Sequence, residues 1–222
     1  MSNELVINSK PKGAVAEAIR TLRTNLQFTF VDDDIKTIMV TSSIPGEGKS
    51  FVSANLACSF SLINCKTLLI DCDLRKGRQN KIFSLPNNKG LSNLLLDDID
   101  NYKEYINETK IPNLDILLSG IVPPNPSELL GSEKNKELLE KLKKDYDLII
   151  LDCPPVNGIT DSLILTKLAD EAVLVSAYKK TPIDLLMQSK KSLENSGAKI
   201  AGVIVNKMER KSNNHYYSKY YQ

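Results

Sequence analysis

Short, nearly continuous apolar runs recur along this chain with helix-compatible stretches between them. The runs read KTIMVT at 36–41, TLLID at 67–71, LDILL at 114–118, DLIILD at 147–152, EAVLVSA at 171–177 and IAGVIV at 200–205. The stretches between them cover roughly 49–64, 90–98, 101–108, 127–144, 160–169 and 182–196. Strands without polar alternation must be covered on both faces, and helical connections supply that cover. The pattern predicts an α/β fold with a mostly parallel central sheet and helices on both faces. In such a sheet, ligands bind at the carboxyl ends of the strands. The 222 residues suit one large domain. Residues 1–12 are polar and read as a loose N-terminal arm. The body runs over 13–208, and 209–222 read as a flexible tail. The body opens on an amphipathic helix over 13–30, with Val15, Ala18, Ile19, Leu22 and Leu26 three to four residues apart.

The first strand runs into SSIPGEGKS at 42–50 and then into a helix. Glycines at 46 and 48 let backbone N–H groups close around phosphates, and the helix start adds its partial positive charge. Lys49 can reach β- and γ-phosphates, and the Ser50 hydroxyl can ligate Mg²⁺. This is a variant Walker A loop, because the strict pattern would place glycine at Ser43. Pro45, Gly46, Glu47, Gly48, Lys49 and Ser50 form the expected nucleotide cradle. Two strand ends carry acids: LLIDCDLR places Asp71, Asp73 and Arg75, and LIILDCPP places Asp152. Asp152 has the position of a Walker B aspartate that holds Mg²⁺. A lone acidic strand end could simply cap the next helix. Two of them downstream of a P-loop, in this order, point to phosphoryl chemistry.

Charge and cysteine content bound the alternatives. The net charge of +2 calls for no nucleic acid. Cys58, Cys65, Cys72 and Cys153 form no C-x-x-C pair and His215 is the only histidine, so the zinc-ligand pattern is missing. The cysteines read as buried thiols. The first residues have no apolar signal core, and no apolar run approaches the ~20 residues of a membrane span.

Together these motifs resemble the bacterial tyrosine kinases that control capsule and exopolysaccharide synthesis, P-loop proteins unrelated to eukaryotic kinases. The family's Walker A ends PGEGKS, as at 45–50. Its second motif, apolar-DxDxR, is matched by Asp71, Asp73 and Arg75. Its Walker B, apolar-DxPP, is matched by Asp152, Pro154 and Pro155. PPNPSELL at 123–130 also looks like the family, and so does the ExxRxxR helix of Glu17, Arg20 and Arg23. The family ends in a tyrosine cluster, and here Tyr216, Tyr217, Tyr220 and Tyr221 fall in the last seven residues.

The resemblance implies an ATP- and Mg²⁺-dependent protein-tyrosine kinase that releases ADP and phosphorylates its own tail in trans. Lys49 and Mg²⁺ would hold the γ-phosphoryl group, with Ser50, Asp73 and Asp152 on the metal. Free tyrosine has a pKa near ~10, so a carboxylate helps remove its proton. Asp71 is the first choice, though its role and that of Asp73 could be exchanged. Arg75 would orient the acidic pair or contact phosphate, and Asn206 would contact adenine. Glu17, Arg20 and Arg23 would join subunits into a homo-oligomeric ring. A transmembrane adaptor would hold the protein at the inner face of the membrane through its cytoplasmic tail, and further protein substrates would be phosphorylated on tyrosine. Two rivals differ in kind. A division- or partition-type switch ATPase would carry a signature lysine where Ile44 stands, and would lack the tyrosine cluster. A non-catalytic scaffold would not need Lys49, Asp71, Asp73 and Asp152 intact.

Overall fold

The computed structural model describes residues 4–29 and 35–208. Seven strands form one sheet: β1 (Thr37–Ser42), β2 (Thr67–Asp71), β3 (Ile106–Glu108), β4 (Leu114–Leu117), β5 (Leu148–Asp152), β6 (Glu171–Ala177) and β7 (Ile200–Asn206). Their spatial order is β3-β4-β2-β5-β1-β6-β7, and every pair is parallel except β3 with β4. The mostly parallel α/β fold expected from the apolar runs is therefore present.

The helices are α1 (Val6–Ser9), α2 (Ala14–Thr29), α3 (Lys49–Ser61), α4 (Gln79–Phe83), α5 (Leu91–Leu96), α6 (Pro126–Leu130), α7 (Glu133–Asp145), α8 (Asp161–Leu165) and α9 (Ile183–Asn195). Successive strand side chains go to opposite faces. Ile38, Val40, Leu69, Ile150 and Val173 enter one core with α1, α2 and α3. Met39, Leu68, Ile70, Ile149 and Leu174 enter the other with α5, α7 and α8. None of the described helices is long and apolar enough to cross a membrane.

Four local readings change. Residues 4–12 are no loose arm: Leu5 and Ile7 are buried, and Ile7 N–H donates to Asn55 Oδ1. The stretch 101–108 is a 3₁₀ turn over Ile99–Tyr105 followed by the antiparallel strand β3. The stretch 127–144 breaks at Gly131 and Ser132, where the Ser132 hydroxyl caps α7 by accepting from Asn135 N–H at 3.2 Å. Helix α4 has no counterpart in the sequence reading. Cys58, Cys72 and Cys153 are buried thiols as expected, whereas Cys65 is only half-buried.

Candidate active site: three strand ends and a phosphate loop

β1 lies at the switch point of the sheet, with β5 on one side and β6 on the other. Its carboxyl end delivers the loop 42–48, and β5 and β2 end beside it. Asp71 and Asp152 are register partners on these last two strands, so their carboxylates emerge side by side. The topology thus gathers Lys49, Ser50, Asp71, Asp73 and Asp152.

The loop owes its shape to two glycines. Gly46 and Gly48 have φ of 80° and 98°, which L side chains rarely adopt. A Cβ on Gly48 would also lie 2.2 Å from Asn206 Nδ2. The Glu47 side chain turns away from the cradle. It is buried, its Oε2 accepts from Ile44 N–H at 2.7 Å, and its Oε1 accepts from Ala177 N–H at 3.1 Å and from the Thr181 hydroxyl. It moors the loop to the end of β6, and only its backbone is left to face a phosphate. Asn206 Nδ2 donates to the Glu47 carbonyl at 2.8 Å, and Lys207 Nζ donates to the Gly46 carbonyl at 2.7 Å.

Lys49 Nζ lies 3.0 Å from Asp73 Oδ2 and 3.6 Å from Asp152 Oδ1. Burial works to lower its pKa, but the charges of Asp152 and Asp73 outweigh burial and hold it above the ordinary value. Asp71 is fully enclosed. Burial, then the charge of Asp152, push its carboxyl up to about 8. Its oxygens accept backbone N–H groups, from Asp73 at 3.3 Å and Gln79 at 3.0 Å. Asp73 instead lines an open cleft of about 380 Å³ with Pro45, Gly46, Gly48, Lys49, Ser50 and Arg75.

Arg75 does not orient the Asp71/Asp73 pair. Its Nε and Nη2 donate to Asp161 at 2.8 and 3.2 Å, and Nη2 also donates to the Ser127 hydroxyl at 3.1 Å. The PPNPSELL segment thereby meets the site through Ser127. Sequence reasoning missed Asp161, Ser53 and Gln79. Ser53 Oγ donates to Asp152 Oδ1 at 3.3 Å, and Gln79 Nε2 donates to Asp152 Oδ2 at 2.8 Å. Ser53 was findable, one helical turn after Lys49. Gln79 and Asp161 belong to none of the motifs, and only the fold brings them in.

Among the described residues, no three His, Cys, Asp or Glu side chains form a group able to hold a metal ion by themselves. Ser50, Asp73 and Asp152 offer a few hard oxygen donors beside the cradle. That suits Mg²⁺, which is usually bound through one or two carboxylates with waters and substrate phosphates. A buried acceptor without a partner, Gln79 Oε1, lies in the same cluster.

The ExxRxxR residues sit on α2. Glu17 and Arg20 pair with each other at 2.8 Å, while Arg23 turns inward to the Ser59 carbonyl at 3.0 Å. Of the three residues expected to join subunits, Glu17 and Arg20 therefore face outward and Arg23 is engaged within its own chain. Tyr216, Tyr217, Tyr220 and Tyr221 lie outside the described residues.

Residues 35–196 match the AAA domain family. The chain is 39% identical over 219 residues to tyrosine-protein kinase YwqD of Bacillus subtilis, covering 98% of this chain and 92% of that protein. The crystal structure of the chimerical protein CapA2B2 superimposes with a TM-score of 0.90 at 39% identity, over 95% of this chain and 92% of that one. The septum site-determining protein MinD of Pyrococcus horikoshii, complexed with Mg-ADP, is more distant. It has a TM-score of 0.67 at 26% identity, over 80% of this chain and 72% of that one. With near-complete coverage by a kinase relative and the P-loop and acidic strand ends in one cluster, the chain belongs to the bacterial tyrosine kinases, enzymes of the P-loop fold found in capsule and exopolysaccharide systems.

Proposed function

We propose that this kinase uses ATP and Mg²⁺ to phosphorylate the tyrosines at 216, 217, 220 and 221 on a neighbouring subunit, and through that cycle regulates polysaccharide synthesis and export. One observation carries the reading: Lys49, at the start of the P-loop helix, meets Asp73 and Asp152 within 4 Å beside an open cleft. Backbone N–H groups of the 46–49 loop cradle the phosphates, and Lys49 exchanges its carboxylate partners for the β- and γ-oxygens. Ser50, Asp73 and Asp152 hold the ion. Bound Mg²⁺ supplies charge neutralisation for the transferring phosphoryl group. Arg75 contacts phosphate from the cleft wall, and Asn206 contacts the base beside Gly48. Asp71 accepts the tyrosine proton. It has no ion pair to Lys49 to give up, and a carboxyl pushed up to about 8 is a better proton acceptor, once ionised, than an ordinary carboxylate. The fold relation to MinD keeps a hydrolytic switch as the second reading.

Subunits assemble through α2 into a ring, in which Glu17 exchanges its intrahelical partner Arg20 for arginines of the neighbour. A transmembrane adaptor brings the kinase to the inner face of the membrane, and its cytoplasmic tail raises activity by ordering the ATP site. The test is incubation with γ-labelled ATP and Mg²⁺ followed by phosphotyrosine mapping. Label is expected on the tail, lost in Lys49→Met and prevented by chelating the Mg²⁺ beforehand. Full labelling of Lys49→Met would overturn the site assignment. ATP hydrolysis with no phosphotyrosine would favour the switch.

A further inference from the structure

Gln79 is fully buried at the floor of the acidic cluster, on the short helix α4. Its backbone N–H donates to Asp71 Oδ2 at 3.0 Å, and its Nε2 donates to Asp152 Oδ2 at 2.8 Å and to the Ser50 carbonyl at 3.1 Å. One residue therefore ties together the ends of β2 and β5 and the first turn of the P-loop helix. Both neighbours of Nε2 are acceptors, which settles the orientation of the amide. The other end, Oε1, is buried with no partner. Buried acceptors are nearly always paired in folded proteins, so one left open beside a candidate ion site calls for a use.

We propose that Gln79 is a positioning residue of the divalent-cation site: Nε2 aims Asp152 and ties it to Ser50, and Oε1 accepts a hydrogen bond from a water on the ion. The inference rests on the reading that Ser50, Asp73 and Asp152 hold Mg²⁺. The side chain is neutral, so it orients the ligands without adding charge. Partners of this kind, which hold a ligand rather than the metal, change metal affinity by about 10–100-fold when removed. A purely structural Gln79 would leave metal affinity alone once the variant had folded.

The test uses Mn²⁺ as the probe, titrated by electron paramagnetic resonance into the purified full chain at saturating ADP. Gln79→Met keeps the volume and removes both amide functions. It should weaken Mn²⁺ binding about 10-fold or more, while ADP affinity measured in a metal chelator stays at the wild-type value. Asp152→Asn serves as the reference for a lost ligand. Wild-type Mn²⁺ affinity in Gln79→Met, with Asp152→Asn weakened, overturns the inference and leaves the metal reading standing. Unchanged affinity in both variants overturns the metal reading and this inference with it. Gln79→Asn, which withdraws the amide by one methylene, is the second variant should Gln79→Met not fold. The same weakening is expected of it, and the same unchanged affinity would count against the proposal.

Discussion

Asp161 holds a carboxylate with no exposure to water at all, and its neighbours explain how it stays ionised. Burial works to raise its pKa, but hydrogen bonds from Arg75 and Ser127, with the guanidinium charge, outweigh it and hold the group below the ordinary carboxylate value. A depressed folded-state pKa stabilises the protein fully above the unfolded value, near ~4, and that contribution is lost as pH falls through the folded value. Asp161→Asn should therefore destabilise by roughly 2 kcal/mol at pH 7, with the gap from wild type narrowing below about pH 4. Urea midpoints at the two pH values measure this, and a gap that widened on acidification would show the pairing to be misread. The variant also releases Arg75 from its bidentate seat, so kinase activity should fall with the fold intact.

At the scale of elements, the helix that carries Lys49 is strapped from behind. Twelve of the thirteen residues of α3 are buried, so its sequence has no polar face from which an outer covering could be foreseen. Asn55, fully buried in its middle, donates to the Glu4 carbonyl at 2.8 Å and the Phe51 carbonyl at 2.9 Å, and accepts from Ile7 N–H at 3.2 Å. Leu5 and Ile7 close over it. Removing one partner of buried hydrogen bonds leaves the others unsatisfied. Asn55→Ala should cost about 2 kcal/mol and speed amide hydrogen exchange over residues 4–9. Unchanged exchange there would show that apolar packing alone holds the segment.

At the scale of the molecule, α2 lies on the outside of one core and leaves part of itself uncovered. Val15 and Phe28, near its two ends, are 51% and 72% exposed, and the Glu17–Arg20 pair faces solvent between them along the chain. A charged pair facing solvent on an outer helix can re-pair across a subunit contact. The unphosphorylated protein should scatter light as a ring-sized oligomer, and the Arg20→Ala/Arg23→Ala variant as a smaller species. Because Arg23 is engaged with Ser59, Arg20→Ala alone should account for most of the effect. Each phosphotyrosine adds about −1.5 to −2 charges, which repel the carboxylates of the site, so phosphorylated protein should dissociate. A monomer before phosphorylation would remove the ring while leaving the kinase standing.

Sequence by itself determined the sheet, its parallel character and the phosphate loop. Period, apolar runs and glycine placement are local properties, and a buried parallel strand has few other readings. It also named Lys49, Ser50, Asp71, Asp73 and Asp152, because phosphate and ion chemistry demand those residue types at strand ends. Tertiary structure alone decided which way side chains turn and who meets whom. Glu47 stands inside the loop motif yet points to β6, since its carboxylate finds two donors there, Ala177 N–H and the Thr181 hydroxyl, besides Ile44 N–H of the loop. Arg75 meets Asp161 across 86 residues of chain, and Gln79 meets Asp152 across 73. Such pairings depend on which strand ends the crossovers bring side by side, and no local pattern records that.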